Sequence, residues 1–271
     1  MGRRVESPSS INTYKQCARK YYYQYVLGLE LKPNVYFARG HVAHKVLENL
    51  FSFYPKSKDE LYETALKLLK KYWDEEEFFK DNKENGYFQE TSLMIINWLN
   101  YFVQKLDKLK MPFDEAFAVL KPKEIEQHYF SDEYKVKGFI DAIEDFNGKI
   151  RLMDYKTSQL SSEIPEGYKL QLAVYALLFK ENNNKNPDEV GIYFLRGGEN
   201  VLEVNNEMIE YAKEEVRKVH EKTDSDNIDD YALNISSHCR NCDFYEKCFK
   251  PSLGKKLKKS QNLLMFNKLN T

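Results

Sequence analysis

The chain has 271 residues, 42% hydrophobic and 14% aromatic, enough for one substantial core with an elaboration. Its 41 basic and 42 acidic side chains leave a formal charge of −1, which excludes a global basic field for nucleic acid and leaves only local basic surface. No run of about 18 apolar residues occurs, which excludes a membrane-spanning helix, and the polar start Met1-Gly-Arg-Arg lacks a signal-peptide core, so a cytoplasmic protein is expected.

Residues 9–27 carry Ile11, Tyr14, Ala18, Tyr21, Tyr22 and Tyr25 at helical spacing behind Ser7 or Ser9 as a cap, which predicts a helix from which Cys17 projects. The tyrosines, interleaved with Arg19 and Lys20, suit either core packing or a stacking platform for single-stranded bases, packing being the commoner use. A second helix is predicted over residues 38–54, with Gly40, His44 and Glu48 at steps of four along one face. His41 lies off that face on a helix of about 3.6 residues per turn, so His41 and His44 are not expected to serve one site. Residues 55–111 continue in a helical pattern broken near 81–86.

Residues 123–130 read as a strand. Two runs follow, 139–146 and 149–157, rich in branched and aromatic residues and joined by Asn147-Gly148, the pair that a two-residue type I′ hairpin prefers. With that turn Phe146 faces Lys149, and equal steps outward set Asp141 opposite Asp154 on one face, with Lys156 following on it. Opposed like charges destabilise a sheet unless something compensates them. The flanking Phe139, Ile140, Ile143, Leu152 and Met153 imply that the strand pair is buried on both faces, where carboxylates need partners. A bound cation would satisfy both. A helix over 164–180 holding Gln171 and Tyr175, strands over 190–196 and 201–204, and a helix over 206–221 complete the pattern.

Cys239, Cys242 and Cys248 form a C-x2-C-x5-C cluster, and Cys17 is the fourth and last cysteine. Four thiols without a spare are the count a tetrahedral site takes, and in a cytosolic protein such spacing favours metal over disulfide. Zinc suits four thiolates, and so does an iron–sulfur cluster; spacing alone leaves both open. Residues 250–271 hold six lysines and no acid, a candidate contact for phosphates. No Gly-x-x-x-x-Gly-Lys-Ser/Thr loop occurs, so no motor of that kind is expected.

Gly138-Phe-Ile-Asp141 followed by Asp154-Tyr-Lys156-Thr resembles motifs II and III of the PD-(D/E)xK nuclease superfamily, in its RecB-like branch. Arg39-Gly-His-Val-Ala-His-Lys-Val-Leu-Glu48 is similar to motif I, and Gln171-Leu-Ala-Val-Tyr175 looks like the Gln-x-x-x-Tyr element. One cysteine before motif I and three near the C-terminus at this spacing are similar to the 4Fe-4S nucleases of the AddB nuclease-domain and CRISPR-associated Cas-type exonuclease kinds. The resemblance implies an α/β (α+β) fold with a restriction-endonuclease-like αβββαβ core. It implies one nuclease domain over residues 1–271, with 55–118 as a helical insertion, 1–30 plus 235–250 as an iron–sulfur subdomain and 251–271 as a basic tail.

The same resemblance implies that His44, Asp141, Asp154 and the Tyr155 carbonyl hold Mg²⁺ or Mn²⁺. Lys156 would act in catalysis with Asp141 and Asp154, and Glu48 in a supporting role. Gln171 and Tyr175 would lie near DNA, and Cys17, Cys239, Cys242 and Cys248 would hold a structural 4Fe-4S cluster. The expected activity is metal-dependent exonuclease hydrolysis of DNA, on single strands or ends, in CRISPR spacer-precursor processing and antiviral defence. A CRISPR integrase or a helicase subunit would be the protein partner, with no membrane involved. A recombination, repair or viral replication nuclease, and a non-catalytic iron–sulfur DNA-binding protein, stand as alternatives.

Overall fold

The computed structural model describes residues 4–81, 85–159 and 163–249; the basic tail expected over 251–271 lies outside them. The described chain divides into two compact units, the residues through Pro8 with Pro33–Lys218, and Ser9–Lys32 with the residues from Val219 on.

The first unit is organised by a five-stranded sheet in the order β1-β2-β3-β4-β5, with β1 at Glu124–Ser131, β2 at Val136–Phe146, β3 at Lys149–Lys156, β4 at Glu189–Phe194 and β5 at Glu199–Glu203. Asn147 and Gly148 both take positive φ, 54° and 85°, as a type I′ turn demands. The ladder runs from Phe146↔Lys149 to Ala142↔Met153, in the register that the turn predicts. β3 and β4 are parallel, and the crossover between them is α8, Glu166–Asn183. A helix, three antiparallel strands, a helix and a parallel strand therefore follow one another as an αβββαβ core, with β5 added at the edge.

Helices cover both faces. α3 (Val35–Leu50), α4 (Lys58–Glu75), α5 (Glu77–Asp81), α6 (Asn85–Lys108) and α7 (Phe113–Leu120) supply most of one hydrophobic core, which Ala142, Met153, Tyr155, Tyr193 and Leu195 join from the sheet. Phe51, Trp98 and Phe102 lock this layer, with edge-to-face contacts from Phe51 to Trp98 and Phe102 at 5.7 and 5.5 Å; such pairs contribute about 0.5–1.5 kcal/mol beyond area burial. α3 starts at Val35, three residues before the predicted start, because Asn34 caps it by accepting the Tyr36 and Phe37 amides. On the other face, α8 packs so close to β2 that a Cβ on Gly138 would lie 3.0 Å from Tyr175 Cε1 and 3.1 Å from Leu178 Cδ1. The glycine that opens the Gly138–Asp141 motif is thus the residue that lets Tyr175 reach the sheet.

In the second unit the helix predicted over 9–27 is three pieces, α1 (Pro8–Gln16), α2 (Ala18–Tyr21) and one π-helical turn, Tyr22–Val26. The break is at Cys17, whose backbone is extended (φ −162°, ψ 111°). Its cause is tertiary: the Arg19 amide bonds Ala232 O at 3.1 Å, and Arg19 Nε donates to Tyr231 O at 2.8 Å. Tyr21, Tyr22 and Tyr23 are buried with Tyr231 and Phe244, so those rings pack a core and have no faces to offer bases. α9, Asn206–Lys222, joins the units in sequence, and α10, Tyr245–Phe249, closes the described chain. No helix among the described residues is long and apolar enough to cross a membrane.

Candidate active site and cysteine cavity

The hairpin register carries Asp141 and Asp154 to the first rung beyond Ala142↔Met153. Both are buried, at 7% and 2% exposure. Their carboxylates do not simply stand side by side as the register alone predicts, because each finds its own partners. Asp141 Oδ2 accepts the Tyr155 amide at 2.6 Å, an N–H that a continued antiparallel ladder would give to a β2 carbonyl. The strands part there, and Oδ1 turns to His44 Nδ1 of α3 at 3.1 Å. Asp154 Oδ1 instead accepts from Gln171 Nε2 of α8 at 2.8 Å and from the Tyr175 hydroxyl at 3.3 Å. Lys156 Nζ lies 2.6 Å from Asp154 Oδ2.

A residue absent from the sequence reading completes the group. Glu126 of β1 sits on the rung facing Asp141, between the pairs Ile125↔Ala142 and Gln127↔Ile140. Its φ is +49°, in the left-handed region, which costs a side-chain-bearing residue on the order of 1–3 kcal/mol. The turned backbone brings Glu126 Oε1 to 3.8 Å from His44 Nδ1. His44, Glu126 and Asp141 each offer a ligand atom within 4.8 Å of the others, a group that could hold a metal ion.

The charges agree with that assignment. Burial alone would depress the His44 pKa, but the Asp141 charge and hydrogen bond, with help from Glu126 and Asp154, push it up to about 10. Burial pushes the Asp141 carboxyl up against the pull of His44, and the charge of Asp154 adds to the rise. Burial would lower Lys156 too, yet Asp154 and Asp141 outweigh it and hold the ammonium charged. Three carboxylates thus face two cations. Asp154 Oδ2, buried, has the Lys156 ammonium beside it but no hydrogen bond of proper direction. A spare carboxylate oxygen with a carboxylate–imidazole donor set fits a hard divalent ion.

The remaining predicted residues fall in different places. Gln171 and Tyr175, one helical turn apart, are joined by a 2.7 Å hydrogen bond and together fix Asp154; Tyr175 is buried, and Gln171 is half-buried. The Tyr155 ring packs inward, 6.5 Å from the His44 ring and 6.0 Å from Trp98, while its amide serves Asp141. Glu48 is on α3 and half-buried, and the carboxylates beside His44 are Asp141 and Glu126. His41 turns away and bonds Glu76 Oε2 at 2.7 Å.

In the second unit Cys17, Cys239, Cys242 and Cys248 line one cavity of about 200 Å³ with Gln16, Lys20 and Tyr245. All four thiols are free. The extended backbone at Cys17 and the 3₁₀ turn Ser237–Asn241 with α10 carry them there from the two ends of the chain. Burial, then the proximity of Cys242 and Cys17, pushes the Cys248 thiol up to about 11.

Among solved structures, the chain is similar to a Eubacterium rectale protein provisionally named an exonuclease, with 12% identity over 79% of this chain and 78% of that one and a TM-score of 0.46. It is also similar to a protein named SSO0001, with 15% identity over 84% of this chain and 92% of that one and a TM-score of 0.32. No curated protein matches it. The family described as the PD-(D/E)XK nuclease superfamily matches residues 6–249, almost the whole described chain, a span that contains Asp141, Asp154, Lys156 and the four cysteines. The chain belongs to the PD-(D/E)XK nuclease superfamily.

Proposed function

We propose that this protein is a Mg²⁺- or Mn²⁺-dependent deoxyribonuclease of the RecB-like iron–sulfur kind, acting as an exonuclease on single strands or DNA ends. The observation that carries the reading is the meeting of His44, Glu126 and Asp141 with the Asp154–Lys156 pair where β2 and β3 part. His44, Asp141, Asp154 and the Tyr155 carbonyl would hold the ion, with Glu126 added. When bound, such an ion polarises the phosphate and lowers the pKa of a water nucleophile. His44 gives up its proton to offer a lone pair, so metal uptake releases a proton. Gln171 and Tyr175 keep Asp154 oriented. Lys156, held protonated, offers positive charge to the phosphate and orients the attacking water by donating to it.

The four cysteines would hold a 4Fe-4S cluster that ties the chain ends within the second unit. The four cysteines line one cavity, and what supports an iron–sulfur cluster over zinc is the C-x2-C-x5-C spacing taken together with the family resemblance. Processing of spacer precursors in the cytoplasm beside a CRISPR integrase is the role that matches the motif combination best, with a helicase subunit as the other partner.

Two assays test this. End-labelled single- and double-stranded DNA, incubated with Mg²⁺ or Mn²⁺, should be shortened from an end, and absence of metal-dependent cleavage would refute the enzyme. Protein purified without oxygen should contain about four irons per chain, and stoichiometric zinc would refute the cluster.

A further inference from the structure

Strand alternation puts polar residues on an exposed sheet face. β1 and β2 break that rule beside the site. Phe139 is 55% exposed and Phe130 39%, and His128 and Lys137 are also exposed. The register pairs Phe139 with His128 and Lys137 with Phe130, so all four share one face. Tyr129 and Gly138, one residue over, turn to the opposite face and meet Phe179 and Tyr175 of α8. The His128 and Phe139 rings lie 4.7 Å apart at 44°.

Two residues inward of His128 and Phe139, about 7 Å along the strand, is the rung of Glu126 and Asp141, and both carboxylates turn to His44 of α3, on the side away from α8. The aromatic face thus runs directly out of the carboxylate group, and Lys137 stands at its outer end. A single exposed Phe needs no explanation, but two with a histidine, in register and continuous with the acids, call for an occupant.

We propose that His128, Phe130 and Phe139 form a stacking shelf for unpaired nucleobases of the strand that enters the His44–Asp141 site, with Lys137 meeting its phosphates; this rests on the nuclease reading above. Ring faces suit nucleobases because every base presents a π-face, whatever the sequence. In a duplex those faces are already stacked, so the shelf selects single strands or frayed ends.

The test measures anisotropy of a labelled oligothymidylate and of a duplex of equal length, with EDTA present so that nothing is cut. Phe139→Ala should weaken single-strand binding about 5- to 150-fold, the range of one stacked base. Duplex affinity and the salt slope should stay as in wild type, since no charge is lost, and Phe139→Tyr should restore binding. Matching melting curves show that the exposed substitution leaves the fold intact. Phe139→Ala binding single strands like wild type overturns the shelf and leaves the face to a protein partner, while Mn²⁺-dependent cleavage by wild type would keep the nuclease reading. Wild type that neither binds nor cuts any nucleic acid overturns both.

Discussion

Replacing Lys156 with alanine removes the ammonium 2.6 Å from Asp154 Oδ2, where the Asp154 side chain is 3% exposed and that of Lys156 is 21% exposed. The other partners of Asp154, Gln171 and Tyr175, both serve Oδ1. Removing one member of a buried pair costs about 3–5 kcal/mol, and the partial exposure of Lys156 puts this case at about 3. Without metal, Tm should fall by roughly 6–12 °C for a chain of this size. The vacated charge is one that a divalent ion can replace, and Mn²⁺ at a hundred times its Kd returns about 2.7 kcal/mol. Thermal unfolding followed by circular dichroism, in EDTA and in Mn²⁺, should therefore show Lys156→Ala gaining more from the metal than wild type does, with cleavage lost. A variant that melts within about 2 °C of wild type in EDTA, or that gains less from Mn²⁺, would refute this view of the site.

Glu126→Gln should weaken Mn²⁺ binding by about 10-fold or more in isothermal titration, and unchanged affinity would remove Glu126 from the ligand group. Gly138→Ala forces a Cβ to 3.0 Å from Tyr175 Cε1, which should cost about 1–3 kcal/mol in urea unfolding and slow cleavage by displacing Tyr175 from Asp154; equal stability would contradict the close packing. Burial alone would raise the Glu189 carboxyl, but Lys149 and Arg151 hold it below its ordinary value of 4.5, at 2.5 and 2.6 Å. Its contribution to stability is complete above pH 4.5 and lost as pH falls through the lower folded value, so Glu189→Gln should flatten the acid limb of Tm against pH. An unaltered limb would count against it.

The parts legible in the sequence are those set by local rules. Asn147-Gly148 dictates its own turn, and from it the register of β2 and β3 follows by counting. Gln171 and Tyr175 meet because they are one helical turn apart, and His44 is separated from His41 by the same periodicity. What was not legible depends on distant partners. Glu126 reads as an ordinary strand residue, and finding it requires the register across residues 132–135, where no turn pair fixes the count. The divergence of Asp141 from Asp154 follows from the Tyr155 amide choosing a carboxylate over a carbonyl. The break at Cys17 follows from Arg19 bonding a segment more than two hundred residues away. α3 starts three residues before residue 38 because the Asn34 side chain accepts the Tyr36 and Phe37 amides and caps the helix there.

The most direct measurement is a single-turnover time course on end-labelled DNA with Mn²⁺, comparing wild type with Asp141→Ala and Asp154→Ala, each checked for native circular dichroism. The account predicts cleavage by wild type and none by either variant. Cleavage at the wild-type rate by either folded variant would contradict it.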